Sequence, residues 1–205
     1  MGFSRRLWLI LAAVLAASAL AVPAASAGLL GGVLPPCGAT TYPFKAWGDA
    51  DAYCAFPNLG FENGTASWTV LGNASVANAN EPGHVSGPGT HALQLGPGSS
   101  ALSSPLPVDL LDPWVRFFAH SSNANGPLRV EVIFRGILGN VTGLLNVGSL
   151  APGGYVSWQP TQRVSSLLAL PLLTASAQVL LTPLSTAGDW QVDDVYLDPC
   201  VSKVG

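Results

Sequence analysis

Charge is scarce in this chain. Asp, Glu, Lys and Arg together make up 9% of the 205 residues, and the formal net charge is −3. Lys and Arg number only eight against eleven acids. A surface so poor in cations excludes the electrostatic grip that nucleic acid or an anionic membrane requires. Cysteine is also sparse, at three, and none of the spacings is a zinc pattern. His84, His91 and His120 are scattered, without a His-Glu-x-x-His pair, and no Gly-x-Ser-x-Gly occurs. No internal repeat and no heptad pattern is present, and after residue 27 no apolar run reaches spanning length.

What is present begins with a leader. Arg5 and Arg6 precede an apolar, Ala-rich stretch over residues 7–22, shorter than the roughly 20 residues a membrane span needs. Ala25-Ser-Ala27 offers a small-residue cleavage site, so residues 1–27 read as a signal peptide. Without Arg5 and Arg6 the remaining six basic residues face eleven acids, a charge of about −5. Gly28 onward is room for one domain, expected to be a secreted or envelope-associated monomer.

Residues 28–57 carry Tyr42, Phe44, Trp47 and Tyr53 without periodicity, and read as an irregular arm whose aromatics cover an end or edge of the domain. From Asn58 the pattern becomes short β-runs punctuated by Gly, Pro, Asn and Ser. Residues 61–62, 68–71, 74–77, 91–95, 99–106, 114–120, 128–135, 178–182 and 190–197 are the expected strands, with edges at 143–147 and 155–158. The clearest alternation puts Leu128, Val130, Val132 and Phe134 inward and Arg129, Glu131 and Arg135 outward. Residues 164–173 are the one helix-like run, broken by Pro171. Many short strands with this punctuation predict an all-β antiparallel sandwich over residues 58–200, with a tail at 201–205.

The last strand is the densest patch of acid. Alternation places Trp190, Val192, Asp194 and Tyr196 on one face and Gln191, Asp193, Val195 and Leu197 on the other. If the strand at Asn58 runs antiparallel beside it, Cys54 lies near Cys200, and a Cys54–Cys200 disulfide is expected; Cys37–Cys54 is the alternative. One thiol is left over either way.

Trp114, Arg116, Phe118 and His120 share one face of an alternating strand and form a candidate binding surface. Tyr155 and Trp158, after Gly153-Gly154, are further candidates, since aromatic rings pack on the apolar faces of sugars while their rims stay wet. A glycosidase would need two carboxylates across a cleft. Glu81 with Asp109 or Asp112, or Glu131 with one of these, are the pairs available. Glu131 between Arg129 and Arg135 reads as a solvated ion-pair face, and no enzymatic activity is expected.

Two segments resemble a known family. Asn58-Leu-Gly-Phe-Glu-Asn-Gly64 followed by Trp68, and Trp190-Gln-Val-Asp-Asp-Val195 near the end, are similar to the terminal strands of jelly-roll carbohydrate-binding modules of the galactose-binding-domain-like group. The resemblance covers residues 58–199 and leaves the arm outside. It implies a jelly roll whose terminal strands are neighbours, a non-catalytic role on a polysaccharide or glycoconjugate, and a structural calcium ion. The implied calcium ligands are Glu62 and Asp193, with Asp194 the adjacent alternative. The chemistry suits this, because calcium takes six to eight oxygens and two buried carboxylates repel without a cation. A second likeness, carried by Cys37, Phe44, Trp47-Gly-Asp49, Arg116-Phe-Phe-Ala119 and Asp193 to Pro199, is to exported actinobacterial proteins and implies a stand-alone domain. The other reading is a structural or protein-interaction domain of the cell surface. A sugar-binding face that is open favours the first reading; one covered by the arm favours the second.

Overall fold

The computed structural model describes residues 37, 39–108, 114–162 and 174–198. The leader at 1–27, Asp109, Asp112, the helix-like run at 164–173, Cys200 and the tail at 201–205 lie outside the described residues. The described chain is all-β. Its strands are β1 (Cys54–Ala55), β2 (Trp68–Leu71), β3 (Ala74–Ala77), β4 (Ala92–Leu95), β5 (Ser100–Ser103), β6 (Leu106–Pro107), β7 (Trp114–Ser122), β8 (Leu128–Gly136), β9 (Val141–Leu150), β10 (Gln159–Pro160), β11 (Thr174–Pro183) and β12 (Asp189–Asp198).

They form two antiparallel sheets. The first runs β10-β7-β12-β4-β3, with β1 also paired to β12; the second runs β2-β5-β11-β8-β9, with β6 paired to β11. The chain passes from one sheet to the other again and again, as in a jelly roll. Between the sheets lie Leu93, Leu95, Val115, Phe117, Ala119, Leu128, Val130, Val132, Phe134, Val179, Leu181, Trp190 and Val192. Burying each large side chain stabilises by about 1.5–3 kcal/mol, so this layer outweighs any single polar contact. The indole N–H of Trp190 donates to Gly126 O at 2.9 Å, which satisfies the one polar atom of the largest core residue. Alternation along β8 is as the sequence indicates, with the four apolar residues buried and Arg129, Glu131 and Arg135 half-buried on the outer side. Gly188, with φ of 68°, turns the chain into β12 against the backbone of Asn123, where a Cβ would collide with a carbonyl.

Three expectations are corrected. Residues 58–64 form turns and not a first strand; the strand beside β12 is the two-residue β1. Asn58, with φ of 55°, organises these turns: its amide donates to Gly64 O and Ala66 O, and its oxygen accepts from Asn63 N. Next, Cys54 is bonded to Cys37, with Cα atoms 6.0 Å apart, and not to Cys200. Antiparallel pairing does bring Cys54 to the end of β12, opposite Leu197, but the arm folds back so that Cys37 reaches it. Lastly, simple alternation fails along β12. A bulge between Asp193 and Tyr196, with Asp194 at φ of 52°, inserts an extra residue. Trp190, Val192, Val195 and Leu197 therefore all face the core, while Gln191, Asp193 and Tyr196 turn outward.

Among the described residues no helix is long and apolar enough to cross a membrane.

Candidate functional site

The outer face of the first sheet is divided in two by the arm. Residues 41–53 form a strap across it and lead into β1. Thr41 and Tyr53 exchange backbone hydrogen bonds of 2.9 and 2.8 Å at its base, and the Cys37–Cys54 disulfide closes it. Its centre is pinned from below. Phe44 is fully buried and stacks on Phe118 at 5.6 Å, edge-on to Tyr53 and Tyr196. The Arg116 guanidinium lies 4.2 Å over the Phe44 ring and pairs with the buried carboxylate of Asp49. Tyr53 Oη donates to the same carboxylate at 2.7 Å, and Arg116 Nε donates to Thr161 O at 2.8 Å. Burial, followed by the Asp49 charge and hydrogen bond, pushes the Tyr53 phenol far up, so it stays a donor at any working pH.

Arg116 and Phe118, expected to line a binding surface, are thus sealed under the strap. An arginine in a chain so short of cations serves here to anchor an acid from a distant segment. Trp114, half-buried, sits at the other end of β7 opposite Asp198. Tyr155 packs its ring on Trp190 at 5.7 Å and belongs to the margin of the core.

Beyond the strap the same face is open, and its residues come from one level across four strands and the residue before a fifth. The register Ser75↔Gln94, Gln94↔Gln191 and Gln191↔His120 sets these four side by side on β3, β4, β12 and β7. All face outward, because their neighbours Leu93, Leu95, Trp190, Val192 and Ala119 are core. Trp158, just before β10, extends the row, its ring 5.7 Å from that of His120 and inclined by 32°. Within the row His120 Nδ1 and Gln191 Oε1 are 2.9 Å apart, and Gln94 Nε2 donates to Asp189 Oδ2 at 2.7 Å. A cleft of about 380 Å³ adjoins the His120 end, between Ser122, Asn123, Pro152 and Val156. The row offers half-buried amides, oriented by His120 and Asp189, and the exposed hydroxyl of Ser75 beside an indole. His120 and Trp158 were legible as candidates. Gln94, Gln191 and Ser75 were not, since a glutamine on an alternating strand looks like any solvated position until the register aligns it with others.

The acidic pair sits at the edge of the strap. Asp193 is fully buried; its Oδ2 accepts from Glu81 N and its Oδ1 from Asp194 N, both at 2.9 Å. Asp194 Oδ2 accepts from Ser86 N at 3.3 Å, while Oδ1 is buried without a hydrogen-bond partner. Glu81 is fully buried as well, its two oxygens taken by the amides of Gly83 and Val85. Burial above all, then the Asp194 charge, pushes the Asp193 carboxyl up to about 8. Burial likewise raises Asp194 to about 6.

The two motifs that carry the family resemblance do meet here. Phe56 N donates to Val195 O and Val195 N to Leu59 O, and a Cβ on Gly60 would stand 3.2 Å from Asp194 Oδ1. The residue facing the acids is therefore Gly60 and not Glu62. Glu62 is exposed and accepts from Thr90 N, His91 N and the His91 ring, at 2.8–2.9 Å. The third carboxylate of the cluster, Glu81, was read from sequence only as a possible catalytic acid. Among the described residues no three acidic, His or Cys side chains already converge as metal ligands. Of the implied calcium ligands the fold brings together Asp193 and Asp194, and Asp194 Oδ1 is the one oxygen of this pair without a hydrogen-bond partner.

No protein-family model and no curated protein matches the sequence. Most of the solved structures with a similar arrangement are carbohydrate-binding modules. TmCBM61 in complex with β-1,4-galactotriose is 19% identical over 70% of this chain and 97% of that one, with a TM-score of 0.42. The CBM22-1 xylan-binding domain of Paenibacillus barcinonensis Xyn10C is 14% identical over 68% of this chain and 90% of that one, with a TM-score of 0.46. The enzymatically active domain of bacteriophage CBA120 tailspike protein 4 is 14% identical over 70% of this chain, with a TM-score of 0.49; the chain spans 21% of its length.

Proposed function

We propose that this protein is a secreted, non-catalytic module that binds a neutral polysaccharide or glycoconjugate on the uncovered half of its first sheet. The observation that carries this reading is the row Ser75, Gln94, Gln191, His120 and Trp158, set on one level by strand register. Fixed amides bond ring hydroxyls, and the indole takes the apolar face of a pyranose. Asp189 at the side of the row disfavours an anionic sugar there. Of the carboxylates considered for catalysis, Glu81 is engaged with backbone amides and Glu131 with Arg129 at 3.2 Å. Export rests on the leader and on the Cys37–Cys54 bond, which requires an oxidising compartment. Affinity electrophoresis in gels containing xylan or galactan tests the reading. Retardation that Gln191→Ala removes supports it, and unretarded migration on every neutral polysaccharide contradicts it.

A structural calcium ion belongs to the same proposal. Asp193 and Asp194 would hold it, with Gly60 leaving room beside them. The ion would neutralise acids that otherwise must keep a proton.

One observation favours the second reading, a surface interaction domain without sugar binding: the strap seals Arg116 and Phe118. A crosslinked protein partner together with absent polysaccharide retardation distinguishes the two.

A further inference from the structure

The strap's outer side carries features that its task of covering the sheet does not need. A short 3-10 turn, Lys45–Trp47, is closed by Gly48 at φ of 78°, whose N–H returns to Lys45 O at 3.1 Å. Phe44 goes down into the buried cluster, while Tyr42 and Trp47 remain 60% and 41% exposed. They flank Lys45 on a shallow groove of about 560 Å³, whose far wall is Gly83 and Val85. Trp47 is steadied by an edge contact with Phe118 at 5.1 Å. Gly83 lies so close that a Cβ there would be 2.9 Å from the Trp47 ring, so the wall must stay bare. The disulfide, the Asp49–Arg116 pair and the Phe44 stack hold the loop rigid beneath these rings. Rigid support lowers the entropy lost when a ligand docks on exposed aromatics.

Charge defines the ligand. Among the described residues Lys45 forms no ion pair. Of the acids around it, Asp49 is buried in its pair with Arg116, and Glu81 is fully buried with both oxygens turned onto the amides of Gly83 and Val85. An unpaired ammonium between two exposed rings, in a chain this poor in cations, fits a ring with an apolar face and a carboxylate at its rim.

We propose that Tyr42, Lys45 and Trp47 form a second site, which binds a hexuronate unit of an acidic glycan. It is separate from the open row of the first sheet, and neither site needs the other. Titration calorimetry of the whole protein at low salt, with hexagalacturonate as probe and xylohexaose as the neutral control, tests it. Hexagalacturonate binds, and added salt weakens it. Tyr42→Ala, at an exposed residue outside the aromatic cluster, weakens it about tenfold, the loss of one ring contact. Lys45→Gln weakens hexagalacturonate and leaves xylohexaose unchanged, whereas Gln191→Ala leaves hexagalacturonate unchanged. No binding of hexagalacturonate by the wild type overturns the proposal. So does an affinity that both strap substitutions leave intact, or one that Gln191→Ala alone abolishes.

Discussion

Arg116 on β7 and Asp49 on the strap form a buried ion pair across the line where the arm meets the sheet. The pair is also the point at which one half of the outer face is closed to ligand. It stands on other groups: Tyr53 donates to the same carboxylate and the Phe44 ring lies under the guanidinium. Arg116→Ala leaves Asp49 charged, buried and short of its counter-ion, and costs about 3–5 kcal/mol of stability. Denaturant unfolding measures this. A double substitution, Arg116→Met with Asp49→Leu, recovers much of the loss, because neither charge is then stranded.

The disulfide yields a chemical prediction. Peptide mapping under non-reducing conditions finds Cys37 linked to Cys54, and leaves Cys200 the thiol that a maleimide labels. With the two cysteines 17 positions apart in sequence, Cys37→Ser costs about 3 kcal/mol on the chain-entropy model. Cys200→Ser leaves the melting temperature within about a degree, since it removes no intrachain bond. A Cys54–Cys200 peptide would contradict the observed pairing.

The acid cluster makes stability depend on pH in a defined direction. The Asp193 carboxyl is raised to about 8 and Asp194 to about 6, both above the unfolded value near 3.8. Between 3.8 and these values the folded state holds protons that the unfolded state has released, so unfolding free energy falls as pH rises through that window. In chelator, the melting temperature is therefore higher at pH 5 than at pH 8, by several degrees. Calcium, if held as proposed, restores the loss at pH 8 and has little effect at pH 5, where protons compete for the same oxygens. Asp193→Asn removes the calcium effect and the part of the slope above about pH 6, and leaves the part below it that belongs to Asp194. A melting temperature indifferent to calcium at pH 8 removes the ion from the account and leaves protonation as the way the cluster is tolerated.

Much of this could be read from the sequence where a local pattern and the fold agree. The period-two run in β8 specified its inward and outward residues, and the Gly, Pro and Asn punctuation specified a sandwich. The meeting of the Asn58 motif with the last strand was legible too. Its details were not. A bulge at Asp194 shifts every later residue of β12 by one face, and no period-two template contains that shift. The Asp-Asp pair was the available signal, since Asp tolerates a left-handed backbone better than most residues. The strap's cover over Arg116 and Phe118 depends on contacts between segments 67 residues apart in sequence, which no local pattern encodes. Glu81 was legible as an acid but not as the neighbour of Asp193, for the same reason.

The central claim is that the uncovered half of the first sheet binds neutral glycan. Titration calorimetry of xylohexaose and a β-1,4-galactan oligomer against the wild type, Gln191→Ala and Trp158→Ala measures it most directly. Each substitution is expected to weaken the bound oligomer about tenfold or more; Gln191→Ala leaves the melting temperature nearly unchanged, while Trp158→Ala lowers it, because Trp158 also packs on the Phe44 and Phe118 cluster. Affinity that is the same in all three proteins, or no heat of binding from either oligomer, contradicts the account.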